Sequence, residues 1–149
     1  MTPQTAIAPL GKILVLDDNP VVQHAVYFAL RAKGCQVLMC GEISEAMKIV
    51  RQEKLDLILV DLSFPLDATN LGGPVQDGFF VIDWIHRIPE VASIPIIIIS
   101  GTEPAKYRER AAAAGIKTCL QKPLDKEKLF AAVQSALGGN AASGQPNKS

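Results

Sequence analysis

The sequence lacks the features that would send a chain out of the cytoplasm or onto a nucleic acid. Its three cysteines, Cys35, Cys40 and Cys119, are odd in number and none stands in a Cys-x-x-Cys spacing. That argues against a disulfide framework or a zinc site, and for small core residues in a reducing compartment. There is no excess charge of either sign, since fifteen Lys and Arg balance fifteen Asp and Glu. No basic field therefore points to a nucleic-acid partner. Met1-Thr2-Pro3-Gln4 lacks the positive n-region and apolar stretch of a signal peptide. The most apolar segment, Ile94 to Ile99, is far too short to cross a bilayer. No internal repeat is visible. These absences leave a cytoplasmic protein with no nucleic-acid or membrane partner as the expectation.

What remains is an ordinary globular composition. With 149 residues, 48% hydrophobic and 20% charged, the chain can close one domain around a proper core. Residues 1–11 read as an N-terminal arm, 12–137 as the folded domain, and the Gly-, Asn-, Ser- and Ala-rich residues 138–149 as a disordered tail. Inside the domain, short apolar runs alternate with amphipathic stretches. Ile13 to Leu16, Gln36 to Met39, Leu55 to Val60, Ile96 to Ile99 and Thr118 to Leu120 predict strands. Helices are expected from Asn19-Pro20 (cap and first turn) to about Lys33, and over Ile43 to Glu53, Gly78 to Arg87, Pro104 to Ala114 and Asp125 to about Leu137. Gly34 and Gly115 supply the stops.

Five strands alternating with five helices imply an α/β fold, a doubly wound parallel sheet. In such sheets the ligand site lies at the carboxyl ends of the strands. That rule selects Asp17 and Asp18 after strand one, Asp61 after strand three, Ser100 after strand four and Lys122 after strand five. Crowded carboxylates repel unless a cation sits among them, and Mg2+ favours such oxygen ligands. A carboxylate can also act as a nucleophile toward phosphorus, which needs charge stabilisation and positioning from its neighbours. Lys122 suits a point-charge contact to a phosphoryl oxygen, and Ser100 a hydrogen bond to another. Each piece alone is weak evidence, because Asp-Asp pairs commonly cap turns and Lys-Pro is an ordinary loop dipeptide. Their joint placement at the strand ends is much more specific.

The segments Ile13-Leu14-Val15-Leu16-Asp17-Asp18-Asn19-Pro20, Asp56-Leu57-Ile58-Leu59-Val60-Asp61, Ile96-Ile97-Ile98-Ile99-Ser100-Gly101 and Lys122-Pro123 resemble the receiver domains of bacterial two-component response regulators, in the manner of chemotaxis regulators. The resemblance covers about Lys12 to Leu137. It implies a flavodoxin-like sheet with strand order 2-1-3-4-5, and Asp61 as phosphoacceptor. It also implies a Mg2+ site formed by Asp17, Asp18, Asp61 and the backbone carbonyl of Ser63, with Asp17 acting largely through water. Ser100 would be the switch hydroxyl, Lys122 the phosphoryl-contacting lysine, and Pro123 would follow a cis peptide bond. The implied partners are a histidine kinase or histidine phosphotransfer protein, approaching Val22, Ala25 and the loop after Asp61, and a downstream protein target. Such a protein is a phosphoacceptor that catalyses its own phosphorylation and dephosphorylation rather than a dedicated enzyme.

Two departures from the family pattern stand out. Leu66 to Gln76 reads as an insertion between Pro65 and Asp77-Gly78, and Cys119 stands where an aromatic switch residue is common. The loop from Gly101 to Ala105 and the long loop after Asp61 are therefore expected to carry the readout. These departures keep open an alternative, a receiver-fold interaction module that works without phosphorylation. A flavodoxin-like FMN site is disfavoured by two carboxylates where its phosphate loop would lie. A haloacid-dehalogenase-type phosphatase is disfavoured by Ser63 where its second Asp would stand. Nothing after Leu137 reads as an output segment. His24 and His86 fall on helices away from the strand ends, and Tyr107 and Trp84 read as packing residues.

Overall fold

Strands buried on both faces build the sheet. The computed structural model describes residues 10–62 and 78–141. The strands are β1 (Lys12–Leu16), β2 (Gln36–Cys40), β3 (Leu57–Asp61), β4 (Ile96–Ser100) and β5 (Thr118–Gln121), and the α-helices are α1 (Pro20–Arg31), α2 (Ile43–Gln52), α3 (Gly78–His86), α4 (Arg108–Ala113) and α5 (Lys126–Ala141). All four strand pairings are parallel, in the order β2-β1-β3-β4-β5. Successive side chains point to opposite faces. Ile13 and Val15 thus join α1 and α5 in one core, through Val26, Leu30, Leu129 and Val133. Leu14 and Leu16 join α2, α3 and α4 in the other, through Ala46, Val50, Ile82 and Ala111. Burying both faces explains why β3 and β4 read as unbroken apolar runs.

Local signals act as the sequence requires. The Asn19 side chain accepts hydrogen bonds from the Val21 and Val22 amides, with Pro20 in the first turn. Gly34 and Gly115 adopt φ values of 92° and 80°, the left-handed region that favours glycine at a helix stop. The three cysteines are free, with Cys35 and Cys40 buried and Cys119 half-buried. Among the described residues no helix is long and apolar enough to cross a membrane.

Two expected elements differ. The helix expected over Pro104 to Ala114 is broken into a 3-10 turn, Pro104–Lys106, and α4. The break falls at Tyr107, whose backbone leaves helical geometry while its ring is buried in the core, so tertiary packing overrides helix propensity. The last helix runs to Ala141 rather than stopping near Leu137, so residues 138–141 are helical rather than part of a loose tail. Glycine disfavours helix by only about 1 kcal/mol per residue, and no proline intervenes before Pro146. The N-terminal arm up to Pro9, Ser63, Pro65, the Leu66–Gln76 insertion and residues 142–149 lie outside the described residues.

Candidate functional site

Strand register brings the acidic residues together. The last paired residues of β1 and β3 are Leu16 and Val60, so Asp17 and Asp61 follow side by side at the carboxyl edge. Asp17 is fully buried, Asp61 nearly so, and Asp18 exposed. One ligand oxygen from each of the three lies within 4.8 Å of the others. Lys122 approaches from beyond β5, after which the Lys122-Pro123 bond is cis. Its Nζ lies 3.1 Å from Asp17 Oδ2 and 3.2 Å from Asp61 Oδ2. Ser100 ends β4 and is buried, with its Oγ accepting the Thr102 amide at 2.9 Å. Its carbonyl accepts the Lys122 amide at 2.8 Å, which ties the lysine's backbone to the hydroxyl's.

Electrostatics at this edge are finely opposed. Burial raises the Asp17 carboxyl above its ordinary value and the Asp61 charge adds to that, against the Asn19 amide and Lys122. Burial pushes the Lys122 ammonium down, but the two carboxylates more than offset this and hold it above its ordinary value. Asp17 Oδ1 accepts the Asn19 amide at 2.9 Å. Among the described residues the buried Asp17 Oδ2 has the Lys122 ammonium as its polar neighbour, at 3.1 Å. A buried anionic oxygen with open lone pairs, next to two further carboxylates, is a donor set suited to a hard divalent cation.

The predicted site residues Asp17, Asp18, Asp61, Ser100 and Lys122 are therefore brought to one edge. Gly101 has open space where a Cβ would project. His24 is exposed on α1 and His86 half-buried at the end of α3. Sequence reasoning missed three supports. The Gln23 side-chain amide donates to the Asp17 carbonyl, one turn into α1. The Thr102 amide holds Ser100, as described. Gly78 packs so closely that an added Cβ would lie 2.7 Å from Leu62 Cα and 2.8 Å from the Asp61 carbonyl oxygen. Only the Asp77-Gly78 pair hinted at the last of these.

The family model described as response regulator receiver domain matches residues 13–134. The chain belongs to this receiver domain family. It is 26% identical to Protein PilH of Pseudomonas aeruginosa over 130 residues, covering 87% of this chain and all of that protein. It is 26% identical over 117 residues to the signal transduction histidine-protein kinase BarA of Escherichia coli, of which it spans only 12%. Among solved structures, the receiver domain of a sensor histidine kinase from Pseudomonas aeruginosa PAO1 superposes with a TM-score of 0.70 at 26% identity. That match covers 86% of this chain and 98% of the other, and a magnesium ion is coordinated in the active site cleft of that domain. Receiver domains are signalling modules rather than conventional enzymes, and this one carries the acidic pocket at the edge of its 2-1-3-4-5 sheet.

Proposed function

We propose that this receiver domain accepts a phosphoryl group on Asp61 from a phosphohistidine of a histidine kinase or phosphotransfer protein, and signals through protein contacts that depend on phosphorylation. The observation that carries this reading is the Asp61 carboxylate at the strand end, 3.2 Å from Lys122 Nζ and within reach of two further acids. A carboxylate oxygen of Asp61 attacks phosphorus as the P–N bond to imidazole breaks, and the departing imidazole keeps the electron pair. The Lys122 ammonium, held protonated by Asp17 and Asp61, faces the phosphoryl oxygens as their charge is redistributed. Ser100 exchanges its bond with the Thr102 amide for one to a phosphoryl oxygen. Hydrolysis by water then returns the free carboxylate and inorganic phosphate.

Asp17, Asp18 and Asp61 fit Mg2+, and the Ser63 carbonyl is the further ligand implied by the family. When bound, Mg2+ neutralises phosphoryl and carboxylate charge together. The domain, read from Lys12 to the end of α5, is placed in the cytoplasm, a reducing compartment that the free thiols fit. Incubation with acetyl phosphate and Mg2+ followed by intact-mass measurement tests the reading. Wild type should gain one phosphoryl group and Asp61→Asn none. Equal labelling of the variant would refute the assignment, and no labelling of wild type would favour the phosphorylation-independent interaction module.

A further inference from the structure

The loop between β1 and α1 carries two of the three acids, and only one of them is held through its own side chain. Asp17 is tied on several sides: its amide donates to the Cys40 carbonyl at 3.1 Å, its Oδ1 accepts the Asn19 amide at 2.9 Å, and its Oδ2 faces Lys122. Asp18 is exposed, and among the described residues its carboxylate makes no hydrogen bond or ion pair. Where that carboxylate points is therefore set by its backbone. The peptide joining Asp17 to Asp18 is a rigid plane. Whatever holds its carbonyl oxygen also fixes the Asp18 amide, and with it the direction in which the Asp18 side chain leaves the chain.

That oxygen is held by Gln23. Helical side chains lean back toward the N-terminus of their helix, so a long side chain just past the first turn of α1, which begins at Pro20, reaches over that turn. The Gln23 side-chain amide donates to the Asp17 carbonyl, and its backbone amide donates to the Asn19 carbonyl at 2.9 Å. With the Asn19 amide on Asp17 Oδ1, these bonds close a ring of contacts around Asp18. The Gln23 side chain is half-buried where two loops meet: a Cβ on Gly41, just after β2, would stand 3.5 Å from Gln23 Nε2 and 3.8 Å from Asp18 Cα. The task needs a donor at this length. Methionine has the length without the donor, and asparagine has the donor one methylene short.

We infer that Gln23 is a positioning residue, holding the Asp17–Asp18 peptide so that the Asp18 carboxylate meets a divalent cation beside Asp17 and Asp61, a role that rests on the metal reading above. Without the bond the peptide is free to turn, and Asp18 must be ordered at the moment the cation binds, which costs affinity. Loss of a group that orients a metal ligand typically weakens binding by roughly 10–100-fold. Gln23 acts through one neutral hydrogen bond to a peptide rather than on a carboxylate, so the expected loss is about tenfold, at the lower end of that range. Gln23 touches neither Asp61 nor Lys122 in the contacts that hold it, so once the metal is saturating the rate of phosphoryl transfer should be unchanged.

The test counts bound Mn2+, which takes the same oxygen ligands as Mg2+, from the electron paramagnetic resonance of the free ion, with the full chain and no phosphodonor. Gln23→Met and Gln23→Asn are compared with wild type, and His24→Ala, at the exposed neighbouring position of α1, is the control. Urea midpoints without metal show which variants are folded under the assay conditions. Both Gln23 variants should bind Mn2+ about tenfold more weakly, and the control should bind as wild type does. In Mg2+ titrations of acetyl phosphate labelling, the half-saturating Mg2+ concentration should rise by the same factor while the rate at saturation stays at the wild-type level. A brace for the fold alone would lower the urea midpoint and leave the affinity of the folded protein unmoved. Wild-type affinity in a folded Gln23 variant, or equal weakening in His24→Ala, overturns the inference and leaves the metal reading standing. Wild type that binds no Mn2+ overturns the metal reading first and the inference with it.

Discussion

Replacing Lys122 by alanine should destabilise the metal-free protein in a manner that pH and Mg2+ can reverse. The lysine is the cation between Asp17, which is fully buried, and Asp61, which is nearly so. Removing one member of a buried ion pair costs about 3–5 kcal/mol, because the remaining charge is left uncompensated. Here the lysine side chain is 21% exposed and Asp17 can take up a proton, so the loss should be about 2–3 kcal/mol at pH 8. With a urea slope of roughly 2 kcal/mol per molar for a domain of this size, the midpoint should fall by about 1–1.5 M. The sign with pH follows from Asp17. Its folded-state carboxyl already lies above the ordinary value, and loss of the lysine raises it further. A raised carboxyl stabilises the fold below its unfolded value and loses that contribution as pH rises through the folded value. The variant's deficit should therefore be largest at neutral and alkaline pH and shrink on acidification. Saturating Mg2+ should restore much of it, since a ligand bound only by the folded state stabilises that state. Urea titrations across pH 5 to 8, with and without Mg2+, measure all three effects. A variant as stable as wild type at pH 8 without Mg2+, or a deficit independent of pH, would refute the reasoning.

Other outcomes follow from the same geometry. Mg2+ should raise the thermal midpoint of wild type, with a shift that fades as acidification protonates Asp17; an undiminished shift in Asp18→Ala would remove that residue from the site. Gly78→Ala places a Cβ 2.7 Å from Leu62 Cα, and overpacking of this kind costs about 1–3 kcal/mol, read as a lower urea midpoint with unchanged slope. Asn19→Ala removes the acceptor for the Val21 and Val22 amides and should cost about 1 kcal/mol, visible as faster amide exchange in the first turn of α1. Leu30→Ala, at a fully buried site on the core face of α1, should cost about 2–5 kcal/mol in the same titration, so a smaller loss than that of Asn19→Ala would contradict the packing.

How much of this was legible beforehand depends on the range of the interaction involved. The strands were visible because an apolar run buried on both faces is a local pattern, and Ile96 to Ile99 cannot be satisfied at a surface. The start of α1 was visible because Asn19 and Pro20 act within one turn. The candidate site was visible because parallel topology sends every strand's carboxyl end to the same edge, so Asp17, Asp61, Ser100 and Lys122 had to meet. Tertiary structure alone decided the rest. That Lys122 bridges Asp17 as well as Asp61 depends on the depth at which each carboxylate sits, which no periodicity encodes. The helix broken at Tyr107 read as continuous because alanine-rich propensity is local, whereas the pull on the ring comes from space beside Cys119, Phe79 and the sheet. Gly78 reads in the sequence only as the start of a helix, and becomes a wedge against Asp61 only when α3 is laid on β3. Local pattern thus determined which residues form the sheet and which lie at its edge. Packing between elements distant in sequence decided how those residues are charged, anchored and coupled, because these depend on distances that exist only after the chain has closed.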